Sequence, residues 1–248
     1  MTENWKPYLC TVNGKLASIF VNLGLREEVP IASKPWLLWT WVYLQTPRDD
    51  GLSDSKEAPT LFKIEDALNL CVSRDCRAIA CGRITTEGRR EFYFYGEIKD
   101  GFREAVATAL RDFDGYRFEV GDQEDSLWEQ YLNVLYPSPE NFQRIANMDL
   151  LDALEAKGDV LTVPREVQHW MYFPSEPFRA LFRDAAAAAG FRIVSESESE
   201  GQLPFGISVA RTQSIEQRSI DRTVIELLNL SQRFDGGYDG WETPVVTQ

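Results

Sequence analysis

Two segments decide the fold of the second half of the chain: residues 165–174, Arg-Glu-Val-Gln-His-Trp-Met-Tyr-Phe-Pro, and residues 236–242, Gly-Gly-Tyr-Asp-Gly-Trp-Glu. The first contains the single histidine, His169, and its bulky aromatic residues are typical of a strand half-buried against helices. Its alternation is imperfect, so the pattern leaves open which side faces the core. In the second, an Asp-Gly pair favours a tight turn that brings Tyr238 and Trp241 close together. Two interpretations of this tail stay open: a clamp on the sheet edge, or an exposed aromatic anchor for a partner.

The elements around these segments follow the order helix, strand, helix, strand, strand, helix and tail. Apolar residues at helical spacing predict helices in residues 142–154, 177–190 and 214–234, and Ser214 with Gln217 suggests a capping box for the last. Strands are predicted at residues 165–173, 191–194 and 207–210, with the acidic run 195–200 as a solvated loop and 241–246 as an edge strand. This is most of a βαββαβ unit, which predicts an α+β, ferredoxin-like antiparallel sheet with helices on one face.

The first half predicts a separate α+β domain. An Asn13-Gly14 turn favours a hairpin, residues 36–44 are apolar on both faces of a strand, and a second hairpin is predicted around residues 86–89. Arg89 and Arg90 are expected to be solvated at the tip of that second hairpin. Helical spacing recurs in residues 61–71, 102–110 and 127–135. The break Pro137-Ser138-Pro139 then predicts domains over residues 1–137 and 138–248, with Ser138 capping the helix that follows.

Composition narrows the classes of function. The 248 residues include 39 acidic and 26 basic side chains, giving a net charge of -13, and both halves are acidic. Such a surface is poorly suited to neutralising a phosphate backbone, so direct nucleic-acid binding is disfavoured and a basic protein partner is favoured. The N-terminus shows no signal-peptide pattern, and the apolar run 36–44 is too short to span a bilayer. We therefore expect a cytoplasmic protein that does not bind membranes.

The four cysteines, Cys10, Cys71, Cys76 and Cys81, all lie in the first half. Their low density and uneven placement fit reduced, buried thiols better than a disulfide framework. Cys71 closes a helical pattern, while Cys76 and Cys81 flank or lie in the next strand. With no second histidine and no Cys-x-x-Cys pair, neither a metal site nor another cofactor is predicted.

Several motifs also resemble known families. The run 164–173, the Ala-Gly-Phe of residues 189–191, the Ile220-Asp221 pair and the Tyr-Asp-Gly-Trp-Glu ending resemble the family named regulator of ribonuclease E activity B, over about residues 139–242. Residues 89–95, with Trp128 and Tyr131, resemble the DUF695 domain. The first resemblance implies a ferredoxin-like domain that binds an RNA-degrading enzyme and lowers its activity without catalysing a reaction.

The sequence leaves three classes of function open. The first is a non-catalytic regulator that binds a protein partner, a ribonuclease with basic segments being the one that the resemblance implies. The second is an acidic immunity or toxin-neutralising protein, and the third is an enzyme that uses His169 as its base. The sequence lacks a nucleophile elbow, a phosphate loop and a metalloprotease helix, so no enzymatic activity is expected. As protein-binding residues it suggests Arg165, His169, Trp170, Tyr238, Asp239, Trp241 and Glu242.

Overall fold

The computed structural model describes residues 3–247, and the chain divides into two compact units, Met1–Asn141 and Phe142–Gln248. Each unit combines an antiparallel sheet with helices, which confirms the predicted α+β class. That residues 1–137 and 138–248 fold separately stays a prediction. The helix that spans the boundary begins at Pro139, and the backbone N–H of Asn141 donates to Ser138 Oγ at 3.3 Å, as the predicted cap requires.

The first unit is built on a six-stranded sheet. Its strands are β1 (Trp5–Val12), β2 (Lys15–Asn22), β3 (Trp36–Tyr43), β4 (Ile79–Thr86), β5 (Arg89–Gly96) and β6 (Phe118–Glu124), in the spatial order β1-β2-β4-β5-β3-β6. The predicted hairpin between β1 and β2 is confirmed, since Asn13 and Gly14 both have the positive φ values that a two-residue turn of this kind demands. The apolar strand β3 is an internal strand, paired with β5 and β6.

Helices α1 (Ala58–Cys76) and α2 (Phe102–Ala109) pack on one face of this sheet around a core that includes Leu38, Phe92 and Phe94. On the other face, a π-helix at Gln130–Leu135 is fixed by two long-range hydrogen bonds. Tyr8 Oη donates to the carbonyl of Leu135 at 2.9 Å, and Tyr131 Oη donates to the carbonyl of Asn22 at 2.8 Å. The unit therefore has a core on both sides of its sheet.

Three expectations for the first unit need correction. Arg90 is not solvated: its side chain is buried, Nε donates to Thr85 Oγ1 at 3.0 Å, and burial together with repulsion by Arg83 lowers its pKa to about 10. Cys76 lies at the end of α1 rather than at the next strand. The helix predicted at residues 127–135 begins only after Trp128, whose φ of 59° breaks helical geometry.

The second unit has the order α3 (Pro139–Glu155), β7 (Arg165–Phe173), α4 (Glu176–Ala188), β8 (Arg192–Glu198), β9 (Phe205–Gln213), α5 (Gln217–Gln232) and β10 (Gly237–Glu242). Its four-stranded sheet has the spatial order β10-β7-β9-β8, with every neighbouring pair antiparallel. All three helices contribute to a core with Val167, Met171 and Phe173 on one face of the sheet. The predicted ferredoxin-like architecture is thus confirmed.

Local details of the second unit differ from the sequence predictions. The acidic run begins as strand, because β8 continues to Glu198 along the sheet edge, where its side chains point to solvent. The capping box does not form: Glu216 is the N-cap of α5 without a side-chain cap, and Ser214 Oγ donates instead to Glu216. Residues Asp239-Gly240 form a β-bulge inside β10 rather than a turn.

Candidate functional site

Odd-numbered and even-numbered residues of strand β7 lie on opposite faces of the sheet. Arg165, Val167, His169, Met171 and Phe173 are buried beneath the helices, whereas the even-numbered residues from 166 to 172 are partly or fully exposed. Successive side chains of a strand point to opposite faces, so this pattern assigns His169 to the core and Trp170 to the other face. We call that second face, with the even-numbered residues of β7 and their cross-strand neighbours, the open face.

His169 is fully buried and is paired with the tail. Its Nδ1 lies 2.9 Å from Tyr238 Oη, and its ring meets the ring of Phe191 edge-on at a centroid distance of 6.4 Å. Burial and, to a lesser degree, the charge of Arg211 lower the pKa of the imidazole to about 3. His169 is therefore neutral at physiological pH and links β7 to β10.

Trp241 is held by a second buried polar network. Its indole Nε1 donates to Asn147 Oδ1 at 2.8 Å, and Asn147 Nδ2 donates to Asp221 Oδ1 at 2.8 Å. The bulge at Asp239-Gly240 makes this possible. In a regular strand, residues three apart point to opposite faces, but the extra residue places Tyr238 opposite Met171 and Trp241 opposite His169, so both rings face the helices.

Arg165 fixes the segment that follows β10. Its Nη1 donates to both carboxylate oxygens of Asp159 at 2.8 and 2.7 Å and to the carbonyl of Pro244 at 3.3 Å. Burial acts to raise the pKa of Asp159, but hydrogen bonds from Arg165 and from the N–H of Val246 outweigh it and lower the pKa overall. This buried ion pair ties the chain terminus to the start of β7.

On the open face, Trp170 and Tyr172 form a ridge between small residues. Trp170 stands between Ser208 and Gly240, and Tyr172 stands between Gly206 and Gly237. A Cβ atom on Gly206 would lie 3.1 Å from Tyr172 Cε1 and 2.5 Å from Ser197 Oγ. Only glycine at this position therefore allows the tyrosine ring to pack against the backbone of β9. Next to Gly240, no heavy atom lies within 4 Å of a built Cβ, which leaves space beside the ridge.

Three exposed acidic side chains lie on the two strands β7 and β10 that flank or carry this aromatic ridge. Glu166 is exposed and accepts from Arg192 Nη2 at 2.7 Å, while Glu242 lies opposite Gln168 and is exposed. Asp239 is exposed at the bulge. Two aromatic rings with carboxylates on the same or the neighbouring strand suit a partner's arginine and lysine side chains, which can stack on a ring or pair with an acid.

The seven residues suggested by the sequence thus fall into two groups. Arg165, His169, Tyr238 and Trp241 lie in or against the core, where Arg165 pairs with Asp159, His169 Nδ1 with Tyr238 Oη, and Trp241 Nε1 with Asn147, while His169 Nε2 is buried without a hydrogen-bond partner among the described residues. Of the two interpretations of the tail, the clamp describes the positions of Tyr238 and Trp241. The structure brings the remaining three to the surface, namely Trp170, Asp239 and Glu242.

Sequence reasoning missed Asn147, Asp159 and Tyr172. Asn147 is polar yet occupies a buried position of α3, a signal that the helical spacing of its neighbours could have given. Asp159 follows Gly158 in a predicted loop, where a buried carboxylate has no sequence signature. Tyr172 could have been found from parity once one face of β7 was known.

Three other features concern metal ligands, cysteines and membrane-spanning helices among the described residues. Within residues 3–247 no group of three or more His, Cys, Asp and Glu side chains is arranged to hold a metal ion. Cys71, Cys76 and Cys81 are buried, and burial raises the pKa of Cys76 to about 11. Among the helices between residues 3 and 247, none has the length and apolar character needed to cross a bilayer.

Comparison with known proteins gave two family matches. Residues 3–136 match DUF695, a family of unknown function, and residues 144–243 match regulator of ribonuclease activity B. No curated protein matches the chain.

Two solved structures were also found. An unknown protein from Galdieria sulphuraria is 12% identical, with 86% of this chain and 99% of that chain covered and a TM-score of 0.23. A candidate glycine cleavage system transcriptional repressor is 9% identical, with 85% and 98% covered and a TM-score of 0.26. Scores this low say nothing about the fold. The DUF695 model matches more than half of the residues, so the chain belongs to the DUF695 family, and its residues 144–243 match the model of regulator of ribonuclease activity B.

Proposed function

We propose that the chain is a non-catalytic, cytoplasmic regulator that binds a ribonuclease and lowers its activity. The observation that carries the proposal is the family match over residues 144–243, which spans nearly the whole ferredoxin-like unit from α3 to β10. We assign the contact with the ribonuclease to the open face, because its aromatic ridge is accessible and strands β7 and β10 also carry exposed acids.

Charge supports a ribonuclease as the partner. An enzyme that cleaves RNA must present basic segments to neutralise phosphates. A chain with a net charge of -13 attracts such a segment over long range, and this attraction sets the association rate. Each exposed ion pair contributes only about 0–1 kcal/mol, so contacts with Trp170 and Tyr172 are needed to slow dissociation.

The environment of His169 supports a role without catalysis. A general base near neutral pH needs a pKa close to the working pH and access to its substrate. His169 has neither property, since it is fully buried and its pKa lies near 3. In our proposal, Trp170, Asp239 and Glu242 contact the partner, while the buried residues hold β7 and β10 in place.

The test measures ribonuclease cleavage of a labelled RNA, together with association and dissociation rates, for the unmodified chain and two variants. Trp170→Ala should raise the dissociation rate about 10-fold or more, since a central aromatic contact contributes 1.4 kcal/mol or more. Glu242→Lys should mainly slow association, and raising salt from 50 to 200 mM should slow association of the unmodified chain several-fold.

Two matched controls lie on helices of the same unit. Leu181→Ala removes an exposed apolar side chain from α4, and Asp152→Lys makes the same charge change as Glu242→Lys on α3. Both should bind nearly as the unmodified chain does. Full affinity in a folded Trp170→Ala variant would show that the open face is not the contact. Lack of inhibition across a panel of the cell's own ribonucleases would overturn the proposal itself.

An immunity role is the second candidate, because the same negative charge would also mask a basic toxic nuclease. The two candidates differ in the target alone. Tight binding to a secreted or transferred nuclease, without effect on the cell's own ribonucleases, would favour the immunity role.

A further inference from the structure

Three arginines meet on the helical side of the second unit, away from the open face. Arg144 of α3 and Arg218 and Arg222 of α5 line a shallow depression of about 340 Å³, together with Asp221 and Ile225. A neighbouring depression of about 420 Å³ shares Arg218 and Arg222. We call these three arginines the arginine patch. It is a positive surface on a chain with a net charge of -13.

Two of these arginines have no acidic partner among the described residues, since Arg218 and Arg222 are exposed and make no ion pair within residues 3–247. They are four residues apart on one helix, an arrangement in which like charges repel and destabilise the helix. Most other arginines of the unit are paired with an acid, as in Arg165–Asp159, Arg179–Glu196, Arg183–Asp184, Arg192–Glu166 and Arg211–Glu226. Arg218 and Arg222 thus differ from most arginines of their own unit.

The one carboxylate inside the patch is already engaged. Asp221 is only 7% exposed and accepts hydrogen bonds from Asn147 Nδ2 at 2.8 Å and from Gln217 Nε2 at 3.2 Å. Arg144 Nη1 lies 3.7 Å from the same carboxylate. Asp221 therefore anchors Arg144 at the edge of the patch, and its charge is tied into the network that also holds Trp241.

We propose that the arginine patch binds a short acidic peptide segment of a partner protein. Guanidinium groups pair with carboxylates through two parallel hydrogen bonds, and two depressions that share Arg218 and Arg222 give room for a segment with two or three acids. The site lies on the helical side, so the proposal does not rest on the proposed function of the open face.

An acidic peptide fits better than RNA. An RNA strand carries a phosphate at every nucleotide and would continue beyond three arginines onto the acidic remainder of the unit. Glu216 borders the second depression and would repel a continuing phosphate chain. A short peptide can place its acids on the arginines alone and avoid this border.

The test uses the full chain and an acetylated, fluorescein-labelled hexaglutamate peptide at 50 mM salt, with fluorescence anisotropy as the measurement. The variant Arg218→Gln/Arg222→Gln should bind about 10-fold more weakly, as expected for the loss of two exposed charge pairs. The control Lys157→Gln/Arg233→Gln removes the same charge from exposed positions outside the patch and should bind within about 2-fold of the unmodified chain. Both exchanges are at the surface, so neither should lower the urea midpoint, and the loss of repulsion between Arg218 and Arg222 should raise the midpoint of the patch variant slightly.

A labelled hexauridylate is the second arm of the test. The proposal expects it to bind more weakly than the peptide at every salt concentration. Tighter binding of hexauridylate through the same arginines would make the patch a nucleic-acid site and overturn the proposal. Equal binding by the patch variant and its control, or no binding of the peptide by the unmodified chain, would overturn it as well.

Discussion

His169 and Trp170 are neighbours in sequence but have opposite roles because adjacent strand residues point to opposite faces. The imidazole is enclosed by the helices and meets Tyr238, while the indole of Trp170 lies on the open face beside Gly240. The sequence could suggest that both residues belong to one site. It could not assign them to opposite faces of the sheet, because the aromatic residues of β7 hide the alternation of buried and exposed positions that the structure shows.

The buried histidine predicts how stability depends on pH. In the unfolded chain the imidazole binds a proton near pH 6.5, whereas in the folded chain it stays neutral down to about pH 3. Since the unfolded state binds more protons in this window, acid favours unfolding. We expect His169 to lower the free energy of unfolding by up to about 1.4 kcal/mol for each pH unit between about 6 and 4.

Urea unfolding of the unmodified chain and of His169→Gln at several pH values measures this effect. The glutamine amide can donate to or accept from Tyr238 Oη but does not titrate, and the carboxylates contribute equally to both proteins. The unmodified chain should be the more stable at pH 7, and its advantage should shrink as the pH falls to 4.5. Parallel pH profiles would mean that the pKa of His169 is the same in the folded and unfolded chain, which contradicts the prediction.

At the scale of elements, β10 shows how one extra residue aligns two rings. Tyr238 and Trp241 are three apart, and only the bulge at Asp239-Gly240 lets both face the helices. The sequence predicted an edge strand at residues 241–246, whereas the strand lies at Gly237–Glu242 and overlaps the predicted range only at Trp241 and Glu242. The bulge could not be predicted, because an Asp-Gly pair is equally typical of a turn and the choice depends on pairing with β7.

This geometry predicts that the bulge residue Asp239 can be deleted. Without it, Tyr238 and Trp241 would be two apart in a regular strand, which keeps both on the helical face and preserves their pairing with Met171 and His169. We expect the deletion to cost less than Trp241→Ala, which loses apolar burial and the hydrogen bond to Asn147 and should cost about 2 kcal/mol or more.

Urea unfolding followed by tryptophan fluorescence compares the two variants. Deletion of a residue from the exposed loop before β9, such as Gln202, serves as a control for shortening the chain at the surface. If the Asp239 deletion destabilises the chain as much as Trp241→Ala, the bulge has a further structural role that strand parity does not describe.

At the scale of the whole molecule, each unit closes its own core. All members of the first hydrophobic cluster lie between Trp36 and Val120, and all members of the second lie between Leu150 and Trp241. No strand is shared between the two sheets within the described chain. The element order and the Pro-Ser-Pro break predict domains over residues 1–137 and 138–248, since local hydrophobic periods repeat on each side of the break.

The buried polar contacts could not be predicted from the sequence. Arg90, Asn147 and Asp159 are residue types that usually lie at the surface, and only the tertiary arrangement supplies their partners. For the same reason the arginine patch has no signature in sequence, because Arg144 is 74 residues from Arg218 and meets it only through the packing of α3 on α5. The fold followed from periodicity, whereas these sites depend on contacts between distant elements.

Separate cores predict that residues 138–248 fold on their own. A fragment that starts at Ser138 keeps the cap of α3 and the Asn147–Asp221–Trp241 network, so its urea midpoint should match the transition of the second unit in the full chain.

A fragment that starts at Met148 lacks Asn147 and leaves Asp221 and Trp241 without that partner. It should be less stable by about 1–3 kcal/mol for each buried group left unsatisfied. A glutamate-specific protease should cut the full chain near Glu140 or at Glu200, and the C-terminal piece released by the cut near Glu140 should stay folded. An unfolded 138–248 fragment, in a full chain that unfolds in one step, would mean that the two units depend on each other for stability.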